Sequence, residues 1–191
     1  MKTRKLLKFN LDTRTEMASM AKVILICGKI CSGKTWYANK LREKNNAVIL
    51  STDEVTYDLI DNEQGEFYDH FSKRVNLYLR RKAVEIVKAG TNVILDWGFW
   101  TKENRKEISA FLSAQGVDYE WHYIDIDDKS WKKNISVRNS RIEQGYKGPD
   151  FYVNTGLLEK VNAFFEPPEA DEMDIVYSPY ALSEVKHQVP H

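Results

Sequence analysis

Between residues 22 and 177 two patterns of apolar positions alternate along the chain. Short unbroken runs, Val23-Ile24-Leu25-Ile26-Cys27, Ala47-Val48-Ile49-Leu50 and Val93-Ile94-Leu95, have the form of strands buried on both faces. Between them the apolar residues return every three or four positions, as on one side of a helix. Trp36, Tyr37 and Leu41 do so up to the polar break Lys44-Asn45-Asn46. Phe71, Val75, Leu79, Ala83 and Val87 step by four toward Gly90, a helix terminator. A helix is expected from about Lys102 to Gln115, closed by Gly116, then an aromatic-rich strand from Tyr119 to Ile126. Trp131, Ile135 and Ile142 set the next helical period. A helix from about Asn154 to Phe165 ends before Pro167-Pro168, and Ile175-Val176-Tyr177 reads as the last strand.

Strands separated by helices of ten or more residues pair in parallel through right-handed crossovers. The pattern therefore predicts an α/β, three-layer architecture: a doubly wound, mainly parallel five-stranded sheet with a helical lid over about residues 128–150. Such sheets bind ligands beyond the carboxyl ends of their strands. The glycine-rich stretch after Cys27, together with Asp53 and Asp96, falls at such ends.

Composition adds bounds. At 191 residues, 42% hydrophobic and 12% aromatic, the chain closes one core, expected over 21–180. The 28 Lys and Arg match 28 Asp and Glu, so the molecule as a whole projects no strong field toward nucleic acid or an anionic membrane. Charge is local instead. Residues 129–147 hold six basic residues against Glu143, and from Glu166 onward six acids stand against one lysine. The first twenty residues, with five basic residues against two acids, are expected to be a disordered leader, and 181–191 a tail. No window approaches the roughly 20 apolar residues of a spanning helix, and a soluble, cytoplasmic protein with no membrane partner is expected. Cys27 and Cys31 are expected to be thiols, since no further Cys or nearby His completes a metal site.

The run Gly28-Lys29-Ile30-Cys31-Ser32-Gly33-Lys34-Thr35 carries the strongest chemistry. Gly-x-x-x-x-Gly-Lys-Thr between a buried strand and a helix is a P-loop, in which backbone N–H groups and the helix N-terminus point at phosphate oxygens. Lys34 would reach the β- and γ-phosphates and the Thr35 hydroxyl would ligate Mg²⁺. Cys31 within the loop is open to two readings, a thiol activated by amides and Lys34 or an inert small residue.

Asp53 follows Lys34 by 19 residues, at the end of the second strand, where a general base would meet an acceptor hydroxyl; an N-cap of a helix from Glu54 is the competing role. Asp96 ends the third strand, where an acid orients Mg²⁺ or substrate. Trp97 follows it, in place of the glutamate that activates water in many ATPases. Arg138 and Arg141 share one helix face, one turn beyond Asn134, and are candidates to close over the nucleotide. Arg105, Trp97 and Trp100 are candidate substrate contacts, and His122 reads as structural.

The loop, Leu50-Ser51-Thr52-Asp53-Glu54, Asp96-Trp97-Gly98-Phe99-Trp100 and Arg138-Asn139 resemble, in that order, the AAA-domain, kinase-like P-loop proteins related to polynucleotide kinase, zeta toxin and chloramphenicol phosphotransferase. The resemblance spans roughly Lys22 to Glu169. It implies ATP and Mg²⁺ as cofactors, Lys34 as the phosphate-loop lysine, Asp53 as base, Arg138 and Arg141 as lid arginines, and Asp96 as holder of substrate or metal. Polynucleotide kinases carry an arginine three residues after the base; this chain has Thr56 there, which weighs against a nucleic-acid 5′-hydroxyl. The expected function is a kinase acting on a hydroxyl-bearing small molecule. The alternatives are a nucleic-acid or nucleotide-sugar kinase and an ATP-binding switch without transfer chemistry.

Overall fold

The computed structural model describes residues 21–60 and 66–179. The expected leader, 1–20, and the tail, 181–191, lie outside the described residues. The elements run β1 (Val23–Cys27), α1 (Lys34–Asn45), β2 (Ala47–Ser51), α2 (Thr52–Ile60), α3 (Glu66–Lys88), β3 (Asn92–Asp96), α4 (Lys102–Ala114), β4 (Tyr119–Ile124), α5 (Asp128–Glu143), α6 (Thr155–Phe164) and β5 (Ile175–Tyr177), with a 3₁₀ turn at Ala170–Glu172.

All five strands are parallel, in the order β2-β3-β1-β4-β5. β1 sits at the centre, and each of its residues is at most 1% exposed. Because successive side chains point to opposite faces, its odd and even positions feed different cores. Val23, Leu25 and Cys27 join Val93 and Leu95 under α3 and α4, through Val75, Leu79, Ala83, Ile108 and Leu112. Ile24 and Ile26 join Ile94 and Ile124 under α1, through Tyr37 and Ala38. At about 1.5–3 kcal/mol for each fully buried aliphatic side chain, these two layers fix the strand ends that carry the site.

A third cluster, Cys31, Ile126, Trp131, Ile135 and Val153, joins the loop after β1 to α5. The expected strand 119–126 stops at Ile124 for this reason. Ile126 turns into the third cluster, and the Asp127 carboxylate accepts from the Ser130 amide as N-cap of α5. Asn154 caps α6 in the same way. No helix among the described residues is long and apolar enough to cross a membrane.

Candidate functional site

The turn from β1 into α1 is shaped by its glycines. A Cβ on Gly28 would meet Ser32 Oγ at 2.7 Å and the Ile124 carbonyl oxygen at 3.2 Å. Gly33 begins α1 at φ 98°, a left-handed conformation suited to glycine; the space beside its Cα is open, so backbone conformation and not crowding selects glycine there. Ser32 is 1% exposed and its Oγ has no partner. A buried hydroxyl without a partner, beside a helix N-terminus, is a site that fits an incoming anion. Lys34 Nζ donates to the Gly28 and Lys29 carbonyl oxygens, at 3.0 and 2.8 Å. Its ammonium therefore lies folded over the loop it serves, and its pKa is lowered by burial.

Cys31 adopts φ 58° within this loop. Burial raises its thiol pKa, against the opposing charges of Arg138 and Lys34. Of the two roles open from sequence, the environment favours the inert thiol. Cys27 is pushed up to about 11 by burial as well.

The floor of the site is carboxylate. Asp96 is 7% exposed; burial raises its carboxyl pKa, against Lys34, the neighbouring Thr35 side chain and Arg138. Thr35 and Asp96 thus bring two hard oxygen donors together. Mg²⁺ bound through phosphates takes only one or two protein oxygens, and this pair fits it. Among the described residues no three His, Cys, Asp or Glu side chains group as a metal cage.

Asp53 is displaced from where the sequence puts it. β2 ends at Ser51, and Asp53 lies in the first turn of α2, not at the strand end. The Ser51 hydroxyl accepts from the Glu54 amide at 3.3 Å, so capping falls to Ser51 and the Asp53 carboxylate stays available. It opens onto the cleft, yet the surrounding walls desolvate it and Asp96 repels its charge, and its pKa is raised to about 6 despite Lys34 and Arg138.

α5 roofs the site and is bonded to the loop. Trp131 Nε1 donates to the Ile30 carbonyl at 2.6 Å, and Asn134 Nδ2 to the Cys31 carbonyl at 3.0 Å. Lys29 Nζ lies 4.9 Å over the Trp131 ring. Arg138 and Arg141 do share one face, but both reach the same carboxylate, Asp150, in the connection to α6. Nothing in the sequence pattern singles out Asp150; its only signal is proximity after the lid helix.

One cleft of about 1700 Å³ is lined by Ser32, Lys34, Thr35, Asp53, Asp96 and Arg138. That exceeds the roughly 300–1,000 Å³ of a single small-ligand pocket, leaving room for a nucleotide and a second molecule. Trp97 and Trp100 also line it. Trp97 is chiefly structural: it is 8% exposed, stacks on Phe99 at 5.4 Å and donates Nε1–H to the Leu50 carbonyl at 3.0 Å. Trp100 Nε1 is buried without a partner beside Gly98. Tyr57, Tyr68 and Phe151 line the same cleft, a part of the wall that helical spacing does not reveal.

Arg105 is a correction. It is 2% exposed and forks onto Glu172, at 2.8 Å from Nε and 3.1 Å from Nη2, with Nη1 on the Glu166 carbonyl at 3.0 Å. Its hydrogen bond holds the Glu172 carboxyl down to about 2. The guanidinium is committed to protein partners and does not line the cleft described above. His122 is structural, as the sequence suggests: 3% exposed, paired with Tyr37 at 2.9 Å, and pushed down by burial to about 4, hence neutral near pH 7.

A P-loop at the end of a central β1, a parallel sheet ordered 2-3-1-4-5 and a helical roof define a P-loop protein of kinase-like fold. The family model described as AAA domain matches residues 23–168, and the chain belongs to that family. It is 29% identical over 154 residues to a protein KTI12 homolog of Arabidopsis thaliana, covering 77% of this chain and 48% of the relative. The chain thus spans about half the length of the curated relative it matches. The APS kinase CysC of Mycobacterium tuberculosis, solved with AMPPNP and APS, superposes with a TM-score of 0.60 at 16% identity, over 87% of this chain and 95% of that one. Chaetomium thermophilum Kti12 in complex with ADP-AlF3 gives 0.59 at 15% identity, over 82% and 87%.

Proposed function

We propose that the chain is an ATP-dependent phosphotransferase that moves the γ-phosphoryl group to the hydroxyl of a small molecule held beside the phosphate loop. The observation that carries this reading is Asp53: an uncapped carboxylate facing the same cleft as Lys34, with a pKa raised to about 6. A base with a pKa close to the working pH is mostly ionised there and still basic enough to take a hydroxyl proton.

In this reading residues 28–35 (Gly28, Lys29, Ile30, Cys31, Ser32, Gly33, Lys34 and Thr35) hold the phosphates, with Lys34 swinging from the loop carbonyls onto phosphate oxygens. Thr35 and Asp96 would hold Mg²⁺, which would supply neutralisation of the phosphate charge. Asp53 accepts the acceptor's proton as the hydroxyl oxygen bonds to Pγ, and the bond from Pγ to the bridging oxygen breaks to release ADP. Arg138 stabilises charge on the γ-oxygens. The wall of Tyr57, Tyr68, Trp100 and Phe151 receives the acceptor.

Asp53→Asn tests the reading. Transfer of labelled γ-phosphate falls by about 10²–10⁴ on removal of a general base, with ATP affinity nearly unchanged. Equal transfer by the variant would remove Asp53 from the mechanism. A second reading, an ATP-set switch, is favoured by the Trp131 and Asn134 bonds from α5 to loop carbonyls, which link loop geometry to the roof. It expects ATP to alter protease sensitivity of α5 equally in wild type and Asp53→Asn, with no acceptor phosphorylated.

A further inference from the structure

Arg138 reaches the site electrostatically: its charge acts on Lys34, Asp53, Asp96 and Cys31. What holds it there is Asp150. One carboxylate oxygen, Oδ1, lies 3.1 Å from Arg138 Nη2, while Oδ2 pairs with Arg141 Nη2. Arg141 is in turn fixed from its other side, its Cζ 3.9 Å from the centre of the Tyr146 ring. The order Tyr146, Arg141, Asp150, Arg138 is a tethered line that runs from the outer rim of the lid toward the phosphate loop. The next residue, Phe151, is packed as well, its ring meeting Tyr68 edge-on at 5.8 Å. A guanidinium has five N–H donors, and Arg138 meets Asp150 through one nitrogen, so among the described residues the rest of the fork has no protein partner and can meet phosphate oxygens.

We propose that Asp150 is a positioning residue for the phosphotransfer reading above: it holds Arg138 over the phosphate loop before nucleotide arrives, with the Arg141–Tyr146 pair as its anchor. Holding a long side chain in place in advance removes an ordering cost from the reaction step. The alternatives within the same geometry are a bystander charge and a latch that competes with phosphate for the two arginines, and they differ in sign.

The groups acting on Asp53 are Asp96 from β3, Lys34 from α1, Arg138 from α5 and Asp150 from the connection after α5. Of the last two, Arg138 lowers the Asp53 pKa more than Asp150 raises it. If Asp150→Asn releases Arg138, the larger influence is lost and Asp53 titrates higher. If Arg138 stays in place, only the Asp150 charge is lost and Asp53 titrates lower.

The experiment compares wild type and Asp150→Asn by single-turnover consumption of γ-labelled ATP with Mg²⁺ and a panel of nucleosides, sugars, amino alcohols and aryl alcohols, by ATP binding, and by the ¹³C-detected titration of the Asp53 carboxyl. The proposal expects a rate reduced about tenfold or more, an ATP Kd within about threefold, and an Asp53 titration moved to higher pH. Arg141→Gln, which removes the anchor alone, should lower the rate and raise the Asp53 titration by less, with the ATP Kd again within about threefold. An undiminished rate, tighter ATP binding at full rate, or an Asp53 titration unmoved or moved to lower pH would overturn it. Should the wild type bind ATP and consume none, the phosphotransfer reading fails, and the Asp53 titration alone then decides for or against the Asp150 tether.

Discussion

Arg105 and Arg138 each follow a strand end on a helix, and each suits a phosphate ligand by residue type alone. Their surroundings separate them. Arg105 is closed off at 2% exposure, with Glu172 and two carbonyls taking its fork. Arg138, at 24% side-chain exposure, meets one oxygen of Asp150 and opens onto the cleft. The same side chain is a strut in one place and lines an open cleft in the other, and the difference is how many of its donors the protein has already used.

The comparison breaks most visibly at Arg105. Arg105→Ala takes both guanidinium bonds from the partly exposed Glu172 carboxylate, and is expected to lower unfolding free energy by about 1.5–3 kcal/mol, read by denaturant titration. A double change to Met and Leu should recover much of that loss. Stability unaffected by Arg105→Ala would mean the pair is ornamental. Arg138→Ala is expected to show the opposite profile. Transfer should fall by about 10²–10³, as for loss of a donor to developing charge. Stability should change by no more than about 1 kcal/mol, because the pair is partly solvated.

A smaller effect sharpens the same contrast through pH. Asp53 must be ionised to accept a proton, and its folded pKa is raised to about 6. Activity is therefore present above that value and lost as pH falls through it, kcat/KM dropping about tenfold per unit below pH 6. A profile flat down to pH 5 would contradict the assignment. Arg105→Lys should leave this limb in place.

The parts of the molecule legible in the sequence are those specified by neighbours along the chain. The runs at Val23, Ala47 and Val93 form β1, β2 and β3, and the loop from Gly28 to Thr35 lies at the end of the central strand, because apolar runs and glycine positions are local properties. β2, however, is the edge strand with Val48 40% exposed and is not buried on both faces as its run suggests, since a run does not tell a central strand from an edge one. Sequence pattern puts Asp53 one element too early, since Ser51, Thr52 and Asp53 all suit a helix start and only the bond from Glu54 to Ser51 shows which one caps. Arg105 misleads for a different reason. Its partner Glu172 is 67 residues away, and no spacing rule brings a 3₁₀ turn near the C-terminal end against α4. Asp150 is hidden likewise, because an acid after a basic helix reads as surface until both arginines are seen to converge on it.

The central claim is that the cleft directs phosphate to a hydroxyl acceptor in preference to water. It is tested most directly by the fate of label in a single turnover of γ-³²P-ATP with the full chain, Mg²⁺ and a panel of nucleosides, sugars, amino alcohols and aryl alcohols. The account predicts label in an organic phosphate for at least one acceptor, lost in Asp53→Asn. Label appearing as inorganic phosphate alone, at equal rates in wild type and Asp53→Asn, would contradict it.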